Sequence, residues 1–84
     1  MLKISVKFFA SYREKINAPS LDININIGAT VKDLIDEVSK IHPKLTKDFS
    51  SLVVAVNWEY SDFNLVLKEN DEVALIPPVS GGMY

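Results

Sequence analysis

The residues best placed to do chemistry lie in one stretch, Ile76-Pro77-Pro78-Val79-Ser80-Gly81-Gly82. Pro77 and Pro78 cannot donate to a β-ladder. Their fixed φ holds the chain in an extended, polyproline-like form, so the segment is expected to leave the fold instead of packing back on it. From Pro77 to Gly82 the chain reaches roughly 20 Å, at about 3.3–3.6 Å per residue. Gly81 and Gly82 carry no side chain, which lets the backbone enter a slot too narrow for a Cβ. A bare tip on a stiff arm suits delivery of a main-chain carboxyl group into the active site of another protein. The plainer alternative is a frayed chain end.

Other chemistry is poorly provided for. The chain has no cysteine, which removes disulfides, thiolate metal sites and cysteine nucleophiles together. Any metal site or Ser-His-Asp triad would need His42, the single histidine. It stands beside Pro43 where a helix should stop, and it reads as a solvated group favourable to the helix dipole. The three glycines, Gly28, Gly81 and Gly82, form no nucleotide-binding loop. Nine Lys and Arg against eleven Asp and Glu give a net charge of −2, so neither nucleic acid nor a membrane surface is an expected partner. The longest apolar run, Leu52 to Val56, is far below the roughly 20 residues of a spanning helix, and the N-terminus shows no signal-peptide pattern. A cytoplasmic location is expected. Self-contained catalysis is not, and 84 residues hold one modest core.

The elements that must position the tip follow from periodicity. Leu2, Ile4, Val6 and Phe8 alternate with polar residues, as a strand with one core face does. Turn residues Asn17 to Ser20 precede a second alternating run, Leu21 to Ile27, so the two read as a hairpin with a long connection. After Gly28, Thr30 followed by Asp33 predicts a helix N-cap with an acidic residue in the first turn. Val31, Leu34, Ile35, Val38 and Ile41 then form one apolar stripe, and the residue before Pro43 should end the helix. Leu52 to Val56 reads as a strand with both sides partly covered. Trp58 to Asn64 carries no clear pattern. Leu65 and Leu67 lead into a turn at Asn70-Asp71, and Val73 to Ile76 is the last strand. The order β-β-α-β-β, with four strands and one helix, predicts the α+β class: a mixed sheet wrapped on one helix, the β-grasp arrangement. Residues 1–76 form the domain and residues 77–84 a projecting tail.

Two apolar residues break the alternation. Phe9 falls on the outer side of the first strand with Ser5 and Lys7, and Ile76 on the outer side of the last with Ala74. With Tyr60 or Trp58 from the loop, they would form an exposed apolar patch fit for a partner protein. Strand twist or a bulge that tucks them into a second small cluster is the alternative.

With these residues in hand the sequence resembles the small, sulfur-carrying subunits of molybdopterin synthase, a ubiquitin-like β-grasp family. The resemblance runs over nearly the whole chain. It is carried by Phe8-Phe9-Ala10 with Arg13-Glu14, by Val54-Ala55-Val56-Asn57 with Glu59-Tyr60, and most specifically by Asp71-Glu72-Val73-Ala74 running on through Pro77-Pro78-Val79-Ser80-Gly81-Gly82. It implies a carrier with no permanently bound cofactor. An adenylating partner, similar to ubiquitin-activating enzymes, would use ATP to convert the Gly82 carboxylate to an acyl-adenylate, and a sulfur donor would then convert it to a thiocarboxylate. The tail would next enter the large subunit of molybdopterin synthase, where sulfur transfer builds the dithiolene from a cyclic pyranopterin monophosphate. On this resemblance Gly82 bears the sulfur and Gly81 lets it thread. Pro77, Pro78 and Val79 lead the tail into the partner, whose apolar contacts are Phe9, Tyr60 and Ile76, with Arg13 as a further contact. The catalytic side chains belong to the partner, so this chain is a donating subunit with no metal.

One feature departs from the family pattern: the sequence continues past Gly82 with Met83 and Tyr84, so Gly82 has no free carboxyl group. Trimming of the dipeptide, as in ubiquitin-like precursors, is the favoured expectation. The others are that the two residues are foreign to the natural chain or that carrier activity is lost. The same activated glycine would also serve a protein modifier joined to lysines through Gly82, or a thiamin-type sulfur carrier. A plain interaction domain with no tail chemistry is the remaining possibility.

Overall fold

Alternation sets the two N-terminal strands, β1 (Leu2–Phe8) and β2 (Ser20–Ile25), which pair antiparallel with Leu2 opposite Ile25 and Lys7 opposite Ser20. The computed structural model describes residues 1–43 and 52–77. The expected long connection between β1 and β2 is instead a second helix, α1 (Ala10–Ile16). It is short, has no side-chain N-cap and starts at Ala10 with φ +51°, so it lacks the usual sequence punctuation. Its anchors are Tyr12, buried in the core, and Ile16 one turn later, packed against the core's edge. Asn17 closes it in the left-handed conformation, φ +61°, its N–H donating to the Arg13 carbonyl at 2.9 Å.

β2 stops two residues earlier than its alternating pattern, because the Ala29 N–H donates to the Asn26 carbonyl and turns the chain there. Ile27 is left 80% exposed, against the expectation that it joins the core face. The predicted helix is α2 (Val31–Ile41), and its start accounts for every orphan donor of the first turn. The Asp33 N–H donates to Thr30 Oγ1 at 3.3 Å, and the Thr30 N–H to Asp33 Oδ2 at 3.0 Å. The Val31 and Lys32 N–H groups donate to the carbonyls of Leu65 and Phe63, both at 3.0 Å. The segment from Phe63 to Leu67 is thereby strapped across the helix end, and Leu67 is buried. Ile41, the last residue of the expected stripe, is exposed where α2 runs out before Pro43.

The C-terminal half supplies β3 (Val53–Val56), β4 (Glu59–Tyr60) and β5 (Glu72–Ile76). β3 and β4 join through Asn57 and Trp58, both at positive φ (+52° and +72°), as a two-residue turn between twisted strands requires. The Asn57 side chain ties this turn to β5: Nδ2 donates to Asp71 at 2.9 Å, and Oδ1 accepts the Glu72 N–H at 3.0 Å. The predicted turn at Asn70-Asp71 is present, with Asn70 at φ +68° and Asp71 Oδ2 accepting the Lys68 N–H at 2.8 Å.

The sheet is five-stranded, in the order β2-β1-β5-β3-β4, with β1 and β5 parallel and the other pairs antiparallel. Its inner face, with Ile4, Val6, Phe8, Val54, Val73 and Leu75, packs on Val31, Leu34, Ile35 and Val38 of α2. The α+β, ubiquitin-like β-grasp fold is as expected, with one strand and one helix more than the pattern revealed. No helix among the described residues is long and apolar enough to cross a membrane.

Candidate functional site

The register decides which side chains share the outer face of the sheet. Lys7 lies opposite Ala74 and Ser5 opposite Glu72 between β1 and β5; Val53 lies opposite Ile76 and Ala55 opposite Ala74 between β3 and β5; Tyr60 lies opposite Ala55. Phe9 stands one step beyond the paired Phe8 and Leu75, and its N–H donates to the Leu75 carbonyl at 3.3 Å. Phe9, Ile76, Val53 and Tyr60 therefore rim a floor made by Ala74 and Ala55. At about 4.8 Å between neighbouring strands, the face spans roughly 14 Å from β1 to β4.

Exposure is graded across this face. Phe9 and Ile76 are half-buried, Val53 is 37% exposed and Tyr60 is 82% exposed. Ala55 and Ala74 are buried between their taller neighbours on a face over which none of the described elements packs. A flat apolar face of this kind, with small residues in the middle and an aromatic at either side, fits the surface of another protein better than a small ligand. Its charge is balanced internally, since Lys7 Nζ sits 3.3 Å from Glu72 Oε2.

The sequence-based patch residues Phe9, Ile76 and Tyr60 are thus placed on one outer face with Val53; Phe9 and Ile76 are half-buried there, between an exposed patch and a second small cluster. Trp58 does not join it. It stands 75% exposed at the β3–β4 turn, beyond Val56, which is three residues and about 10 Å from the Val53–Ile76 row. Arg13 is exposed on α1 and lines a shallow groove with Glu14, Asn17 and Pro19 instead of the sheet face. Val53 was missed because the unbroken apolar run Leu52–Val56 gives no clue to which residues face outward; its pairing with Ile76 supplies that information.

β5 ends where this face is most apolar. Pro77 follows Ile76 directly and is half-buried; with no N–H it ends the ladder. The described part of the strand therefore ends at Pro77, beside Phe9 and Val53, and Ile76 belongs both to the patch and to the last residues described. Pro78, Val79, Gly81 and Gly82 lie outside the described residues. Among the described residues no group of three or more His, Cys, Asp or Glu is placed to hold a metal ion. A recess of about 480 Å³ lies between the end of β2 and α2, away from the patch, and is lined by Asn24, Asn26, Asp33, Asp36, Glu37 and Lys40 among others.

Comparison with known proteins bears on the family and the fold. Residues 6–82 match the model of the ThiS family. The molybdopterin synthase sulfur carrier subunit of Arabidopsis thaliana is 36% identical over 81 residues, which cover 96% of this chain and 84% of that protein. Among solved structures, small archaeal modifier protein 1 (SAMP1) of Haloferax volcanii superposes with a TM-score of 0.85 at 28% identity, covering 95% of this chain and 99% of that one. A chain of the complex of subunits 1 and 2 of molybdopterin-converting factor from Helicobacter pylori does so with a TM-score of 0.71 at 27% identity, covering 96% and 100%. With a family match running from the first strand to Gly82 and a relative 36% identical over nearly the whole chain, this chain belongs to the ThiS family.

Proposed function

We propose that this chain is a sulfur carrier of molybdenum cofactor biosynthesis, the small subunit of a molybdopterin synthase, with Gly82 as the sulfur-bearing residue. The observation that carries the reading is the course of β5, which passes through the apolar face and hands the chain to Pro77 at its edge. A partner that covers Phe9, Ile76, Val53 and Tyr60 is thereby set beside the root of the segment that carries Gly81-Gly82.

The chemistry needs a free carboxylate. Gly82 is followed by Met83 and Tyr84, so hydrolysis of the Gly82–Met83 peptide bond comes first. A carboxylate is a poor electrophile because its charge is delocalised. Its oxygen attacks the α-phosphorus of ATP on an adenylating partner, pyrophosphate leaves, and the acyl-adenylate carries AMP as a good leaving group. Sulfur delivered at the hydrosulfide level displaces AMP and leaves a thiocarboxylate; its sulfur adds to the pterin precursor in the active site of the large subunit, and water cleaves the remaining acyl–sulfur bond to return the Gly82 carboxylate. This chain contributes the docking face, the arm and the reactive end; the partners contribute the catalytic side chains.

Intact-mass spectrometry of the protein from its own cells tests the proposal. A chain ending at Gly82 with one oxygen replaced by sulfur is expected; a population that always retains Met83 and Tyr84 would defeat it. A second reading, conjugation to other proteins through Gly82, is favoured by the likeness to an archaeal protein named as a modifier. Recovery of Gly82 in isopeptide linkage to lysines would support that use.

A further inference from the structure

The two edges of the sheet differ in what they leave open. β4 is two residues long, whereas β2, the other edge strand, runs for six residues in continuous register with β1, with no proline or bulge inside it. The Phe8 N–H donates to the Pro19 carbonyl at 3.0 Å, and opposed pairs in an antiparallel ladder alternate between bonded and non-bonded. Leu21, Ile23 and Ile25 are therefore the residues of β2 bonded to β1, and the N–H and C=O groups of Ser20, Asp22 and Asn24 turn to the open edge. Such an edge is a template for another strand unless charge, proline or a bulge blocks it. The one charge on β2 is Asp22, and it stands 4.0 Å from Nζ of its own Lys3.

A second copy of β2 fits this edge in one register. With Asp22 opposite Asn24 of an antiparallel copy, Asn24 comes opposite the copy's Asp22 by symmetry, and each pair exchanges both backbone bonds. On the inner side Ile23 then meets Ile23 and Leu21 meets Ile25, apolar against apolar. A slip of one residue would set apolar against polar side chains. A slip of two sets Asp22 against Asp22 in one direction, and in the other carries the pairing past Ile25, where β2 ends.

The same register joins features that a single copy leaves open. Ile27, beyond the end of β2 and 80% exposed, comes opposite Pro19, which lines a groove of about 300 Å³ with Arg13, Glu14, Asn17 and Ala18. In the recess at the end of β2, Lys40 is taken by Glu37 at 3.9 Å, while Asp33 and Asp36 stand in no ion pair among the described residues; nor does Arg13 at the start of β2. Because the copies run antiparallel, Arg13 of each is brought to the side of Asp33 and Asp36 of the other. A strand of another protein could take up the backbone groups alone; the fit at both ends selects this chain.

We propose that the protein pairs with itself through β2, forming one continuous sheet with Asp22 opposite Asn24 across a two-fold axis. The pair leaves the proposed docking face open, because β1 separates β5 from the joined edge. Both outer faces turn to the same side, with the two β5 strands five strand spacings apart, roughly 24 Å at about 4.8 Å each. The contact is short, so the pairing is expected to be weak and reversible.

Sedimentation equilibrium of the full chain, up to about 1 mM, tests the proposal. A dimer that grows with concentration is expected. Asn24→Asp sets carboxylates against each other across the joint while gaining Lys3 as a cross-strand neighbour, so it should stay folded by circular dichroism and weaken the dimer about tenfold. Arg13→Glu should weaken it as well. The register is read by cross-linking, which the lack of native cysteine keeps simple. In the bonded pair the Cα atoms stand about 5.5 Å apart, within disulfide reach. A mixture of Asp22→Cys and Asn24→Cys chains should therefore form mixed disulfides well above either variant alone and above a Lys68→Cys control. A chain that stays monomeric throughout, a dimer indifferent to Asn24→Asp, or cross-linking no greater than the control would each overturn the proposal. The carrier reading would stand in every case, since it rests on the outer face and the tail.

Discussion

The inner and outer faces of the sheet are built from alternate residues of the same strands, yet they are held to different standards. Leu75 and Ile76 are neighbours in β5 and similar in size. Leu75 points inward, fully buried against α2; Ile76 points outward, half-buried, into the open face beside Val53 and Phe9. A core is apolar because the fold requires it, whereas an apolar outer face with none of the described elements above it adds less to stability and invites association. The contrast is what the proposed docking role asks of the outer residues.

Truncating the inner face should have the largest effect. Leu75→Ala removes a fully buried side chain and is expected to cost about 2–5 kcal/mol in a chemical denaturation experiment. Ile76→Ala, one residue away, should cost less, about 1–2 kcal/mol, because Ile76 is only partly buried. Equal losses would mean that the outer face is a second core. On the outer face the large effect moves to binding: Phe9→Lys should weaken the complex with the tail-receiving protein by about 2 kcal/mol, some thirtyfold, while changing unfolding by about 1 kcal/mol or less. A loss shared equally between folding and binding would return Phe9 to the interior.

This division was legible in the sequence wherever side chains alternate strictly. Leu2 to Phe8 fixed an inner face, which left Phe9 on the wrong side by count alone, and Ile76 stood out against Val73 and Leu75 in the same way. Alternation could not sort Leu52–Val56, where every residue is apolar, so Val53 became visible only through its partner Ile76. α1 escaped because a seven-residue helix shows its period only in Tyr12 and Ile16 and starts with no capping side chain. β4 escaped because two residues make a strand by pairing with Ala55 and Val56, a long-range fact that Glu59 and Tyr60 do not carry themselves. The helix start, by contrast, was fully local: Thr30 and Asp33 name each other as partners at the spacing of a capping box, and the structure holds both bonds.

That locality gives a prediction of intermediate size. Thr30→Ala removes the acceptor for the Asp33 N–H and should lower stability by about 1 kcal/mol. Because α2 lies under the inner face, affinity for the partner should be unchanged once the protein is folded. A change in affinity at constant folding would show that the outer face senses the helix through the strap from Phe63 to Leu67, and the two faces would then not be independent.

The smallest expected effect lies at Trp58, where the comparison is weakest. Its φ of +72° is uncommon for a residue with a bulky side chain, and the side chain is 75% exposed, so little packing offsets the cost of the left-handed geometry. The same turn would be better served by glycine after Asn57, the pairing that two-residue hairpins prefer. Trp58→Gly should therefore stabilise the fold slightly, by up to about 1 kcal/mol, read as a raised denaturation midpoint with unchanged slope. Affinity for the tail-receiving protein should hold within twofold, since the turn stands at the opposite end of β3 from Val53 and the base of the tail. If affinity fell instead, the indole would be a contact kept at the expense of backbone comfort, and the docking face would extend from Phe9 across the sheet and along β3 to the turn.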